Sequence, residues 1–226
     1  MSIMKTFRPL VPALALLIGT LLQPGVSPAK EKQPEAPAKS IRVAIMPLMN
    51  VTQETLADQV ASQALRDQLE EFDTSRATFL FPSDVQRVLS SRNEFQRAYR
   101  IAERWSKDGA LDSTAVAGLD SLLTVDAVLC VRISDWEVKR ITTINAGQSY
   151  TTVGLQFALF DVHSKKLLWK KDAHDQRFAP EYDVSSGTVS YDGTGTIQSR
   201  TTNEPPRPKE VLNDLIRSAF KKFPAS

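Results

Sequence analysis

Cysteine occurs once in the 226 residues, at Cys130. A single thiol excludes an internal disulfide and any zinc site built on several thiolates. Histidine occurs twice, at His163 and His174, which leaves little imidazole for activating a nucleophile or ligating a metal. Glycine is scarce at 9 residues against 13 prolines, so a Gly-rich phosphate cradle has little material to work with. Neither charge sign dominates, with 28 basic and 26 acidic side chains. What is present is the composition of an ordinary folded domain: 42% apolar, 8% aromatic and 24% charged residues. The length suits one domain with a full core, or at most two small ones.

The first residues carry a targeting pattern. Met1 to Pro9 holds Lys5 and Arg8 and no acid, and Leu10 to Leu22 (LVPALALLIGTLL) follows as thirteen uncharged residues. That is the length of a secretory h-region and short of the roughly 20 residues of a bilayer span. Ser27 and Ala29 stand where a signal peptidase reads small residues, so residues 1–29 are expected to be a signal peptide or, if retained, a short membrane anchor. Removing them takes two basic residues and no acid. The remaining chain is then balanced in charge, which gives no electrostatic reason to expect nucleic acid or anionic lipid as a partner. No Cys follows the h-region, so a lipid anchor on an N-terminal Cys is not expected. Residues 30–40 continue a Pro-, Lys- and Glu-rich stretch with no large apolar side chain and read as an extended linker.

Residues 41–226 have the pattern of a single domain. Ile41 to Leu48 is nearly continuously apolar, as in a strand covered on both faces. Asn50 and Gln53 are spaced for a capping box, and Leu56, Val60, Ala64, Leu65, Leu69 and Phe72 predict an amphipathic helix behind it. A short strand is expected over Thr78 to Phe81. Ser83 and Gln86 form a second cap, opening one long helix marked by Val85, Leu89, Phe95, Tyr99, Ala102 and Trp105. A break at Asp108-Gly109 precedes a helix around Ser113 to Leu123. Ala127 to Ile144, Ser149 to Val162 and Lys166 to Ala173 then read as three strands with no room for crossover helices. Polar turns at Asn145-Ala-Gly147 and His163-Ser-Lys165 join them into an antiparallel meander. Residues 174–206 form a polar loop, with a turn at Tyr191-Asp-Gly-Thr-Gly195, and a last helix runs from about Pro208 until Pro224 stops it. The order β-α-β-α-α-β-β-β-α gives an α/β fold: a three-layer mixed sheet with flanking helices and a C-terminal meander.

No catalytic constellation emerges from this pattern. His163 falls in a predicted turn, where a solvated side chain is expected. His174 lies between Asp172 and Asp175, and a metal held by these three is the one enzyme reading the residues leave open. Two carboxylates and one imidazole in an exposed stretch are a weak ligand set. Cys130 sits inside the apolar run Ala127 to Val131 and reads as a core thiol. Gly193-Thr-Gly195 lacks the third Gly and the following Lys of a nucleotide loop. The pair Glu70-Glu71 lies on a helix surface. Trp136 and Trp169 are either recognition anchors or cover for the core beside the meander.

Several stretches, read in order, resemble the bacterial envelope family that includes the curli secretion channel CsgG, the penicillin-binding-protein activator LpoB and the N-terminal domain of TolB. Val43-Ala-Ile-Met-Pro-Leu-Met-Asn50 resembles the family's strand ending in Pro, an apolar residue and Asn. Val125-Asp-Ala-Val-Leu129 with Ile133-Ser-Asp-Trp136 resembles its strand after a GADAVL turn. Thr151-Thr-Val-Gly-Leu-Gln-Phe157, Phe160-Asp-Val162 and Leu168-Trp169 resemble its later hairpin, and Thr201-Thr-Asn-Glu-Pro205 is similar to a segment of the curli channel. The resemblance spans about residues 41–223. It implies a three-layer α/β domain and a non-enzymatic, periplasmic accessory or assembly role in the envelope, through docking to a protein complex or self-association. The alternative is an oligomeric outer-membrane export-channel subunit. No cofactor or small-molecule substrate is expected, and any membrane association is peripheral. Trp136, Tyr150, Tyr182 and Tyr191, at the far end of the meander and on the polar loop, are the expected partner-binding side chains.

Overall fold

The computed structural model describes residues 40–141, 148–180 and 204–224, all within the chain unit Pro37–Ser226. Its strands are β1 (Ile41–Ile45), β2 (Met49–Asn50), β3 (Ala77–Leu80), β4 (Ala127–Lys139), β5 (Tyr150–Asp161) and β6 (Leu167–Phe178). They form one six-stranded mixed sheet of order β3-β1-β4-β5-β6, with β2 paired to β4 beside that path. β1 is parallel to β3 and to β4, whereas β4, β5 and β6 are the antiparallel meander. The sheet is open, with β3 and β6 at its edges.

Alternation along the central strands feeds two cores. Val43, Ile45, Leu129, Val131, Ile133, Leu155, Phe157 and Leu159 pack beneath α1 (Ala57–Glu70) and α6 (Pro208–Phe220). Ala44, Met46, Val128, Cys130, Ala158 and Phe160 face α2 (Pro82–Ser90), α3 (Gln96–Asp108), α4 (Ser113–Val116) and α5 (Leu119–Leu123). The expected three layers are therefore present. Cys130 is fully buried, and burial alone pushes its thiol far above the ordinary range, as a core residue requires.

Several local expectations give way. Asn50 does not cap a helix: its side-chain oxygen accepts from the Thr52 N–H and hydroxyl at 2.9 and 2.7 Å, and its amide donates to the Glu54 carbonyl. These bonds close a turn, and α1 begins only at Ala57 with no side-chain cap. At the next helix Pro82, not Ser83, sets the start. Its fixed φ and missing N–H suit the first helical position, so Phe81 is the cap residue.

The single long helix is two, α2 and α3, joined through Asn93 at φ 59°. Leu89 and Ile101 are both fully buried, yet twelve residues of unbroken helix would rotate one about 120° from the other. Breaking the helix lets both reach the same core. Arg97, at the start of α3, fastens the arrangement by donating to the Ala115 and Ala117 carbonyls and pairing with Glu94. Gly109 ends α3 at φ 69°, the left-handed conformation a helix end favours. The helix expected over Ser113 to Leu123 is interrupted by Gly118 at φ 79° and becomes α4 and α5.

Candidate functional site

Partnering along β4 changes partway. β1 and β2 hold it only as far as Ile133, and among the described residues it pairs with β5 alone from Asp135 onward. Residues 135–139, 150–154 and 174–178 therefore make a three-stranded ribbon. β6 runs to Phe178, so residues 174–178, expected to open the polar loop, are strand instead. β5 supplies paired backbone all the way to Tyr150, and that outweighs the polarity of His174 to Arg177.

A β-bulge at Ser134, between Ile133 and Asp135, sets the faces of this ribbon. Before it, odd-numbered β4 residues face α1 and α6. After it the parity reverses, so Trp136 faces that side and packs half-buried against the same core. Trp136, Val153 and Asp175 are in register on this face, followed by Val138, Thr151 and Arg177. The opposite face carries the rows Asp135–Gly154–His174, Glu137–Thr152–Gln176 and Lys139–Tyr150–Phe178.

On this second face Tyr150 donates to Glu137 at 2.9 Å, which holds its phenol above the ordinary value. Its ring lies 5.8 Å from that of Phe178, with the Lys139 ammonium 5.7 Å from the Tyr150 centroid. His174 Nε2 meets Asp135 Oδ2 at 3.0 Å from two strands away. Gly154 lies between them in the same row, and its missing side chain is what lets them touch. Asp175 points to the other face, so the strand period splits the Asp172, His174 and Asp175 set. No group of three His, Cys, Asp or Glu side chains able to hold a metal occurs among the described residues. His163 lies exposed in its turn, 3.4 Å from Asp120.

On the α6 face Arg177 donates to Asp175 and to Asp214 of α6, both at 2.8 Å, fastening the end of β6 to the helix. The hydrogen bond from Arg177 holds the Asp214 carboxyl below its ordinary value. A depressed folded value means the contribution is present above the unfolded value of about 4 and fades as pH falls through the folded one. Both groups are part-exposed, so the pair is worth at most about 1 kcal/mol. Arg177→Met is therefore expected to lower the urea midpoint slightly at pH 7, and the difference should narrow as pH falls below about 4. A difference that does not narrow on acidification would assign the loss to packing of the arginine stem.

Of the expected partner-binding residues, the two that the structure describes lie on opposite faces of the ribbon. Trp136 belongs to the core side and Tyr150 to the opposite face. Trp169 packs into the aromatic cluster beneath α6. Tyr182 and Tyr191 lie outside the described residues, as do residues 1–39, most of the polar loop and the turn at Asn145-Ala-Gly147. Phe178 and Val138, 51% and 48% exposed, were not singled out by pattern, because a lone apolar residue in a polar stretch carries no periodic signal. Gly154 did carry one: an isolated glycine inside a strand often marks a bulge or a close approach.

No protein-family model matches the chain, and no curated protein matches it. Among solved structures it is similar to lipoprotein GNA1162 from Neisseria meningitidis, at 16% identity over 64% of this chain and 88% of that one, with TM-score 0.43. It is also similar to the PelC dodecamer from Paraburkholderia phytofirmans, at 14% identity, 84% and 91% coverage and TM-score 0.44. A third is the LpoB C-terminal domain from Escherichia coli, at 14% identity, 61% and 84% coverage and TM-score 0.41.

Proposed function

We propose that the chain is a non-enzymatic accessory protein of the bacterial envelope, acting in the periplasm by docking to a protein complex or to another copy of itself. The secretory pattern of residues 1–29 motivates the compartment. The observation that carries the docking role is the ribbon beyond Ile133, which leaves the shelter of β1 and β2 and holds Tyr150, Phe178 and Val138 partly exposed. A non-enzymatic role is supported by the two imidazoles, which lie exposed beside surface carboxylates, His163 by Asp120 and Asp161 and His174 by Asp135. A channel subunit would need an apolar lipid face. One face of the ribbon carries Glu137 and Lys139 and the other Asp175 and Arg177, and a lysine or arginine at the bilayer midplane costs roughly 2–4 kcal/mol.

The test is cell fractionation of the full chain, followed by cross-linked capture with wild type and the double variant Tyr150→Ser, Phe178→Ser. The expected result is a periplasmic protein that cross-links to a defined envelope species, with capture falling at least roughly fivefold in the variant while its circular dichroism is unchanged. Cytoplasmic retention would overturn the reading. So would a detergent-resistant ring of high mass, which belongs to the channel alternative.

A further inference from the structure

β6 is an edge strand twelve residues long, paired to β5 on one side and to no strand on the other among the described residues. Such an edge is a template for another strand, and proteins that leave one open usually blunt it with charge. Here the charges are ordered. We propose that β6 pairs antiparallel with β6 of a second copy of the chain, about a two-fold axis through Ala173, so that two sheets become one. This deepens the self-association in the proposed function and rests on that reading only for its setting in the envelope.

The register follows from the side chains and from the length of strand paired, since an axis at Trp169 or Gln176 opposes no like charges but pairs only five residues of each β6. In an antiparallel pair, opposed residues share a face, so the axis must pass through a residue and not between two. Centred on Lys170, Lys171, Asp172 or Asp175, it sets two identical charges against each other, and centred on His174 it sets Lys171 against Arg177. Like charges directly opposed destabilise a sheet. Centred on Ala173, the small side chain meets itself and no like charges oppose.

On the α6 face of this register, Lys171 meets Asp175 of the second copy, and Trp169 comes level with Arg177. On the other face Asp172 meets His174, Lys170 meets Gln176, and Leu168 comes level with Phe178. Leu168 and Phe178 are 50% and 51% exposed in the single chain, and the pairing covers both. Each contact occurs twice by symmetry. The same charged side chains that favour this register disfavour its neighbours, which is how an edge can accept one partner and refuse aggregation.

The experiment is light scattering over a range of concentrations on the full chain, produced with its N-terminal segment in place. Wild type is expected to be a dimer that dissociates on dilution. Lys171→Glu opposes Asp175 with a second acid, and Asp175→Lys opposes Lys171 with a second base. Each is expected to raise the dissociation constant roughly tenfold or more, because both symmetric pairs turn repulsive. An equal mixture of the two variants should recover the wild-type constant to within about threefold, since both pairs regain opposite charges in the mixed dimer. Ala173→Cys should in addition form a disulfide-linked dimer under mild oxidation. The native Cys130 is fully buried and does not compete.

A wild-type chain that stays monomeric, a mixture that shows no recovery, or an Ala173→Cys variant that stays reduced while folded each overturns the pairing. A monomer whose β6 amides resist hydrogen exchange would assign the edge to residues 181–203 of the same chain instead. A monomer that still captures an envelope complex overturns the pairing and leaves the docking role standing. A two-fold dimer found in cytoplasm does the reverse.

Discussion

Phe220→Ala is expected to lower the unfolding free energy by about 3–5 kcal/mol. Phe220 is 3% exposed, and its ring meets those of Phe157 and Trp169 at 5.5 Å, Phe223 at 5.1 Å, Phe72 at 6.0 Å and Phe79 at 6.2 Å. These side chains come from the turn after α1, from β3, β5 and β6, and from α6 and the turn after it. One ring therefore holds five separate parts of the chain to one face of the sheet. Truncation removes the transfer energy of the ring and leaves a cavity that surrounding aromatics, already edge to face with one another, cannot collapse to fill. Urea unfolding followed by tryptophan fluorescence measures the loss directly, because Trp169 sits in the same cluster. Phe95→Ala serves as the control: at 50% exposure its loss should stay within about 1 kcal/mol. A Phe220→Ala loss no larger than that control would show that α6 is not held through this cluster.

Gly154→Val is expected to cost about 1–3 kcal/mol through steric conflict in a packed strand. A Cβ at this position would lie 2.7 Å from Ser134 Oγ and 2.9 Å from Asp135 Cβ. The serine hydroxyl can rotate away. The Asp135 Cβ cannot move without shifting the backbone of the bulge, and the bulge is what turns Trp136 toward the core. The same substitution should part His174 from Asp135, since a branched side chain would fill the space through which they meet. Two readouts separate these effects. The urea midpoint reports the steric cost, and the His174 ring resonances report the contact. His174→Ala removes the contact alone, and at this exposure it should change stability by less than about 1 kcal/mol. Should His174→Ala cost as much as Gly154→Val, the glycine would be acting through the ion pair and not through space.

Much of the sheet and of both cores was legible in the residues. β1 falls within the apolar run Ile41 to Leu48, and the last helix holds at Val211 to Phe220. The first helix stripe holds at Ala64, Leu65 and Leu69, although Leu56 is 60% exposed. β4 and β5 fall within their expected strands, although β4 ends at Lys139 and not at Ile144. Burial imposes a period of 2 or 3.6 that survives in the sequence. The capping residues read less well. Asn50 and Ser83 are as well suited to turns and first-turn positions as to caps, and the choice belongs to their neighbours. Which way the candidate side chains face was not legible: Trp136 and Tyr150 lie at the same end of the meander, yet the bulge at Ser134 turns Trp136 toward the α6 side and leaves Tyr150 on the other face.

By itself, then, the amino-acid sequence determined the coarse succession of strand and helix regions, the three-layer α/β class, the antiparallel meander and most of the buried positions. All of these follow from local periodicity and turn chemistry. Tertiary structure alone decided the break between α2 and α3, because two buried stripes out of phase on one helix must both reach one core. It alone placed Trp136 inward and Tyr150 on the opposite face, because one extra residue at Ser134 reverses the alternation of everything after it on β4. And it alone brought His174 to Asp135 and gathered Phe72, Phe79, Phe157, Trp169, Phe220 and Phe223 into one cluster. Those contacts depend on register between strands distant in the chain, which no local pattern encodes.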